Sequence, residues 1–304
     1  MLEGAVIALR WLQYGGAVVL LGTPLFLLYS FRGTDGPNLA WARPTLIGSA
    51  LVVALGSLAA LVAQTAVMAG ALSEALKPAS LSFMVTGTTL GMAMVVRGAL
   101  ALLSLVAVVV FRPGRGLWAF LVAAGLIIAA SFAWTGHGAA TEGPGGPVHL
   151  AADIVHMAAA ALWLGALAAL TALLVRRTAS DDPAIHRALH GFAGLGTLAV
   201  VLLVLTGLVN SGFLVGPARV GALGAGLYGQ LLIAKLALFA LMLAMAAQNR
   251  FRLTPTLGVV LESGEDPRPA LQRLRRSIVA ETVVGALLLA VVAVMGTLAP
   301  PSAL

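Results

Sequence analysis

Cysteine is absent from the 304 residues. This excludes disulfides and thiolate metal sites, so any bound transition metal must rely on histidine, methionine, carboxylate or backbone oxygen. Charge is scarce as well: 10% of residues are Asp, Glu, Lys or Arg, against roughly a quarter in soluble domains. The sequence contains no P-loop, no H-E-x-x-H, no nucleophile elbow and no pair of catalytic carboxylates. Nucleotide-driven pumping and the common hydrolytic chemistries therefore lack their residues, and the chain does not read as an enzyme.

What fills the chain instead is apolar, with 60% hydrophobic residues. Eight runs, near 5–31, 45–72, 81–111, 117–136, 148–175, 189–214, 226–248 and 277–298, are each long enough to cross a hydrocarbon layer, which takes about 20 helical residues. The runs are continuous rather than alternating, and lipid admits only segments that satisfy their own backbone, so helices are expected and a barrel is not. The predicted fold is an all-α, polytopic transmembrane bundle forming a single membrane domain over 1–304, with the lipid bilayer as its surroundings. The first run is as long as the others and is expected to stay as the first helix.

The net charge of +7 is explained by placement. Thirteen of the eighteen basic residues fall between runs 1–2, 3–4, 5–6 and 7–8: Arg32, Arg43, Arg112, Arg115, Arg176, Arg177, Arg187, Arg250, Arg252, Arg268, Arg273, Arg275 and Arg276. By the positive-inside rule that side is cytoplasmic, and both termini and the 136–147 connection are expected on the periplasmic side of a bacterial inner membrane. The basic excess is thus a topology signal, and no nucleic-acid partner is implied.

Polar residues inside the runs are the candidates for function. In "GPVHLAADIVHMAAAALWLG", Pro147 suits the first turn of a helix. At about 100° per residue, His149, Asp153 and His156 then fall at roughly 0°, 40° and 340°, on one helix face. His137, in "WTGHG", ends the preceding run in the same outer layer. Imidazoles with a nearby carboxylate suit copper or zinc. Met68, Met84, Met157 and Met295 near the outer ends tilt the balance to copper, because thioether sulfur is soft; a methionine also simply fills gaps in apolar packing. His186 and His190, in "DDPAIHRALH", lie four residues apart beside a possible Asp182 cap, and read first as a solvated helix face. Arg97, Lys235 and Glu281 lie deep in runs 3, 7 and 8, where bare charge is costly; Glu281 is expected to pair with Lys235 or Arg97, and Gln64 and Asn210 to hydrogen-bond between helices.

The stretches "DIVHMAAAALWLGALAAL", "TGLVNSGFLVG", "LYGQLLIAKLALFALMLAMAAQNR" and "LRRSIVAETVVGALLL" resemble the copper resistance D family of bacterial inner-membrane proteins. The likeness covers mainly the second half, and its most specific part is His156 followed by Trp163-Leu164-Gly165, with "TGHG" alongside. It implies copper uptake from the periplasm, with His137 and His156 as ligands helped by His149, Asp153 or Met157. It also implies copper ions as cargo and, by analogy, a separate periplasmic copper-binding protein as donor. The same histidines would alternatively hold a haem for electron transfer, or form a dock for a copper protein without transport.

Overall fold

In the computed structural model, which describes residues 2–30, 40–177 and 182–303, eight helices are long and apolar enough to cross a membrane. Arg32 and most of the first connection lie outside the described residues. The chain runs α1 (Leu2–Ser30), α2 (Ala42–Ala69), a short α3 (Leu72–Ala75), α4 (Pro78–Gly87), α5 (Thr89–Val110), α6 (Arg115–Ser131), α7 (Gly146–Val175), α8 (Asp182–Leu214), α9 (Leu227–Gln248), α10 (Thr254–Ser263) and α11 (Arg268–Met295). No strand occurs among the described residues.

Two boundaries differ from expectation for local reasons. The third apolar run breaks at Thr88, whose extended backbone and side chain cap α5 by accepting from the Gly91 N–H at 2.9 Å. The crossing helix is therefore α5, and α4 lies before it. The 249–276 segment, expected as a connection, is largely helical: α9 passes through a π turn at Asn249–Leu253 into α10, which ends at Gly264 with φ of 73°. The eighth helix begins at Arg268 rather than near 277. Leu257, Leu271, Leu274 and Ile278 recur at helical spacing and are all buried. They turn the polar segment into amphipathic helix that packs onto the bundle.

Helix α7 is central, packing against α1, α6, α8 and α11, while α2 bridges α1 and α5. Its closest approach is to α1, where a Cβ built on Gly22 would stand 2.3 Å from the Gly165 Cα, and one on Gly165 would stand 2.3 Å from the Val18 carbonyl oxygen. Glycine on both helices lets the backbones touch, the usual route to tight packing where lipid removes any hydrophobic drive between helices. Large apolar side chains such as Leu55, Leu58, Val106 and Leu208 remain exposed on the outer surface, as a lipid-facing bundle requires.

Gly165→Leu should separate α1 from α7 and cost at least the ~1–3 kcal/mol typical of overpacking. Thermal unfolding of the purified protein in detergent checks this; an unchanged midpoint would mean the contact carries no strain.

Candidate metal site

The first 3₁₀ turn after α6 (Phe132–Thr135) and the next (Gly138–Ala140) hold His137 between two glycines. Those glycines have a steric reason. A Cβ on Gly138 would lie 2.7 Å from Asp153 Oδ2, and one on Gly136 would lie 3.5 Å from the same atom. The bare backbone thus admits the α7 carboxylate beside His137, and the Gly138 backbone hydrogen-bonds to it.

His137, His149, Asp153, His156 and Met157 all line one cavity of about 160 Å³, together with Arg10, Asn210, Tyr228, Lys235 and Met295. His149 is 1% exposed, so it is buried rather than close to water. Its Nδ1 pairs with Thr141 Oγ1 at 2.6 Å, and its ring stacks on Phe213 with centroids 4.7 Å apart. His137 meets the edge of the Tyr228 ring and hydrogen-bonds to the Met295 backbone. In both residues Nε2 is buried with no hydrogen-bond partner. Burial pulls the His137 imidazole below its ordinary value, opposed by the Met295 hydrogen bond and reinforced by the nearby Arg10 guanidinium. Its neutral form, the one with a lone pair to give, is the favoured one.

His156 sits seven residues further along α7, hence about 10 Å deeper along the helix axis. Its Nδ1 lies 2.9 Å from Thr206 Oγ1, and that hydroxyl already donates to the Leu202 carbonyl at 2.6 Å. With its one proton used, Thr206 can only accept, so Nδ1 carries the imidazole proton and Nε2 bears the lone pair. The helical rise separates rings that share a face, and among the described residues no three His, Asp or Glu side chains gather closely enough to hold one ion. The arrangement is an outer pair, His137 and His149, with His156 deeper in the same cavity.

Asp153 Oδ1 accepts from Asn210 Nδ2 at 3.1 Å, and the carboxylate also feels Lys235. Arg10 and Lys235 both line the cavity beside this carboxylate. Of the methionines, Met157 and Met295 line it, Met84 is buried in α4 with its sulfur accepting from Thr88 Oγ1 at 3.3 Å, and Met68 is exposed. Thr141, Thr206 and Phe213 escaped the sequence reading. The α8 pair had a legible signal, since Thr206 and Asn210 are polar residues four apart in an apolar run.

The expected ion pair of Glu281 with Lys235 or Arg97 is not formed. Arg97, 2% exposed, donates to Ser131 Oγ at 2.9 Å, Gln13 Oε1 at 3.1 Å and the Ser131 carbonyl at 3.0 Å, and lies 3.6 Å above the Phe132 ring. It locks α1, α5 and α6 together at a distance from Glu281, whose carboxylate is taken by Asn249. Asp182, at the start of α8, pairs with Arg177 at 2.6 Å.

Family models match two successive stretches: "Copper resistance protein D-like, N-terminal domain" over residues 1–147, and "Copper resistance protein D" over residues 186–295. Copper resistance protein D of Pseudomonas syringae pv. tomato is 37% identical over 97% of this chain and 96% of its own length. Copper transport protein CutJ of Bacillus subtilis (strain 168) is 28% identical over 78% of this chain, and the match spans 44% of that longer protein. No solved structure matches.

Gly138→Ala should push the Asp153 carboxylate from its seat and lower stability by about 1–3 kcal/mol, read as a fall in unfolding temperature. Gly221→Ala, in open surroundings, serves as the comparison, and equal losses would dismiss the steric argument.

Proposed function

The chain belongs to the copper resistance protein D family, and from that premise we propose that it takes up copper ions from the periplasm across the bacterial inner membrane through the histidine cavity. The observation that carries this reading is the pair of buried Nε2 atoms of His137 and His149, left without protein partners in one cavity. A buried polar atom without a partner is costly, and an imidazole fixed at its other nitrogen with Nε2 free is the usual posture of a metal ligand. Thr141 supplies that fixing at His149 and Thr206 at His156, and the Met295 backbone lies beside the His137 ring.

The ligands we assign are His137 and His149 as the entry pair, His156 as the next station, and Met157 or Met295 as soft thioether donors along the wall. Asp153 offsets positive charge between them. Arg10 and Lys235 leave the cavity short of negative charge, which weakens the hold on a cation; conduction needs this, because an ion bound too tightly does not leave. Spacing the imidazoles along α7 instead of clustering them serves the same end, offering several weak positions in place of one trap. The distribution of the thirteen arginines supports a periplasmic position for the cavity, where a soluble copper-binding protein would deliver the ion.

Haem fits this cavity less well than an ion. Sites for drug-sized ligands run to about 300–1,000 Å³, and the space here is about 160 Å³.

His149→Ala and His137→Ala should each remove most bound copper, and Thr141→Val should weaken binding roughly ten-fold by freeing the His149 ring. His186→Ala should bind as the parent does. Copper content after equilibrium dialysis of the purified variants measures all four, and full retention in the His137→Ala and His149→Ala double variant would remove the assignment. Copper uptake into proteoliposomes should fall in His156→Ala while dialysis still finds copper on the outer pair; undiminished uptake would exclude His156 from the path.

A further inference from the structure

The opposite end of the bundle holds a second cavity, of about 840 Å³, lined among others by Trp163, His186, His190, Asn249, Arg250 and Glu281. Glu281, on α11, is 1% exposed. Its Oε2 accepts a hydrogen bond from Asn249 Nδ2 at 2.8 Å. The two atoms left over by this pair, Glu281 Oε1 and Asn249 Oδ1, are both buried acceptors with no hydrogen-bond partner. A carboxylate oxygen and an amide oxygen cannot satisfy each other. A carboxylic acid can: with a proton on Oε1, the O–H donates to Oδ1, and the acid and amide close a two-bond ring. One proton removes both deficits.

The surroundings favour that proton over a neutralising side chain. The ion pairs among the described residues are Lys77–Glu74, Arg177–Asp182 and Arg268–Asp266, and none involves Glu281. His186 and His190 face the cavity from α8. Arg250, from the π turn, is committed to the Ala193 carbonyl and Thr197 Oγ1. From α7 the Trp163 side chain approaches the same carboxyl, and from α1 comes Tyr29, stacked on the cavity-lining Phe192. Asn249 opens the π turn at Asn249–Leu253, an irregularity that helices retain most often at functional positions.

We propose that Glu281 and Asn249 form a proton-binding site at the end of the bundle away from the histidines. The two cavities lie along one seam. On α11, Glu281, Leu288 and Met295 recur every seven residues, and on α7 so do His149, His156 and Trp163; a seven-residue step returns to nearly the same helix face. Glu281 and Trp163 line the second cavity, and the other four line the first. The proton therefore sits in line with the copper path as a coupling ion would. The site extends the copper reading without resting on it, since the pair needs its proton whether or not a metal passes.

Infrared difference spectroscopy of the full chain in lipid tests the site directly. At neutral pH the protein should show a carboxylic-acid C=O band that moves in D2O, shifts in Asn249→Leu and is lost in Glu281→Gln. An amide replaces the protonated acid with the same two-bond ring, so Glu281→Gln should fold and unfold at temperatures close to the parent's. Should that variant fail to fold, glutamate-specific ¹³C labelling of the parent must move the band instead. A spectrum unaltered by Glu281→Gln or by the label would overturn the proposal, as would loss of the band on adding sodium at constant pH, which would mark an alkali-cation site. Failure of copper uptake leaves this spectrum untouched, so the two readings fail separately.

Discussion

Inside a hydrocarbon layer no water is at hand to complete a hydrogen bond, and this constraint governs where polar atoms occur in the bundle. Most are spent on locks. Serine and threonine hydroxyls return to carbonyls one turn back, as at Ser49, Ser57, Thr65 and Ser104. Arg97 ties three helices together through its full fork of donors and the Phe132 face. Set apart from these are buried atoms without a protein partner: His137 Nε2, His149 Nε2 and Asn210 Oδ1 at one end, Asn249 Oδ1 and Glu281 Oε1 at the other. These five line the two cavities, where we propose a metal ion at the imidazoles and a proton at the paired oxygens.

Helix α7 makes this arrangement possible because it is held from several sides. The glycine contact with α1 fixes its height, and its register then fixes which residues look into the bundle. A helix free to slide by a turn would carry His149 and His156 about 5 Å along the axis, out of reach of Thr141 and Thr206. The charge balance around the histidines follows from the same packing. Arg10 arrives from α1 and Lys235 from α9, and among the described residues Asp153 is the one carboxylate lining the cavity.

Much of the architecture was legible in residue order. Continuous apolar runs of helical length mark the eight spans, because a lipid-crossing segment leaves no other option, and the boundaries that moved did so at Thr88 and at the amphipathic 254–276 stretch, where a side-chain cap and leucine spacing outweigh local polarity. The one-face placement of His149, Asp153 and His156 was legible too, from helical periodicity alone. The pairing of buried charges was not. Glu281, Lys235 and Arg97 looked like natural partners by cost, yet Arg97 is held by Gln13 and Ser131 and Glu281 meets Asn249, and which helices adjoin is a matter of packing.

Composition and periodicity by themselves determined a membrane bundle, the side on which arginine collects, and a polar stripe on the fifth apolar run. Those properties depend on single segments and on the 3.6-residue turn. Only the tertiary structure decided that His149 is buried and pinned by Thr141, that the imidazoles stand in sequence along α7 instead of around one point, and that Asn249 meets Glu281. Each of these depends on the distance between residues far apart in the chain, which helix-to-helix contact sets and a linear pattern does not encode.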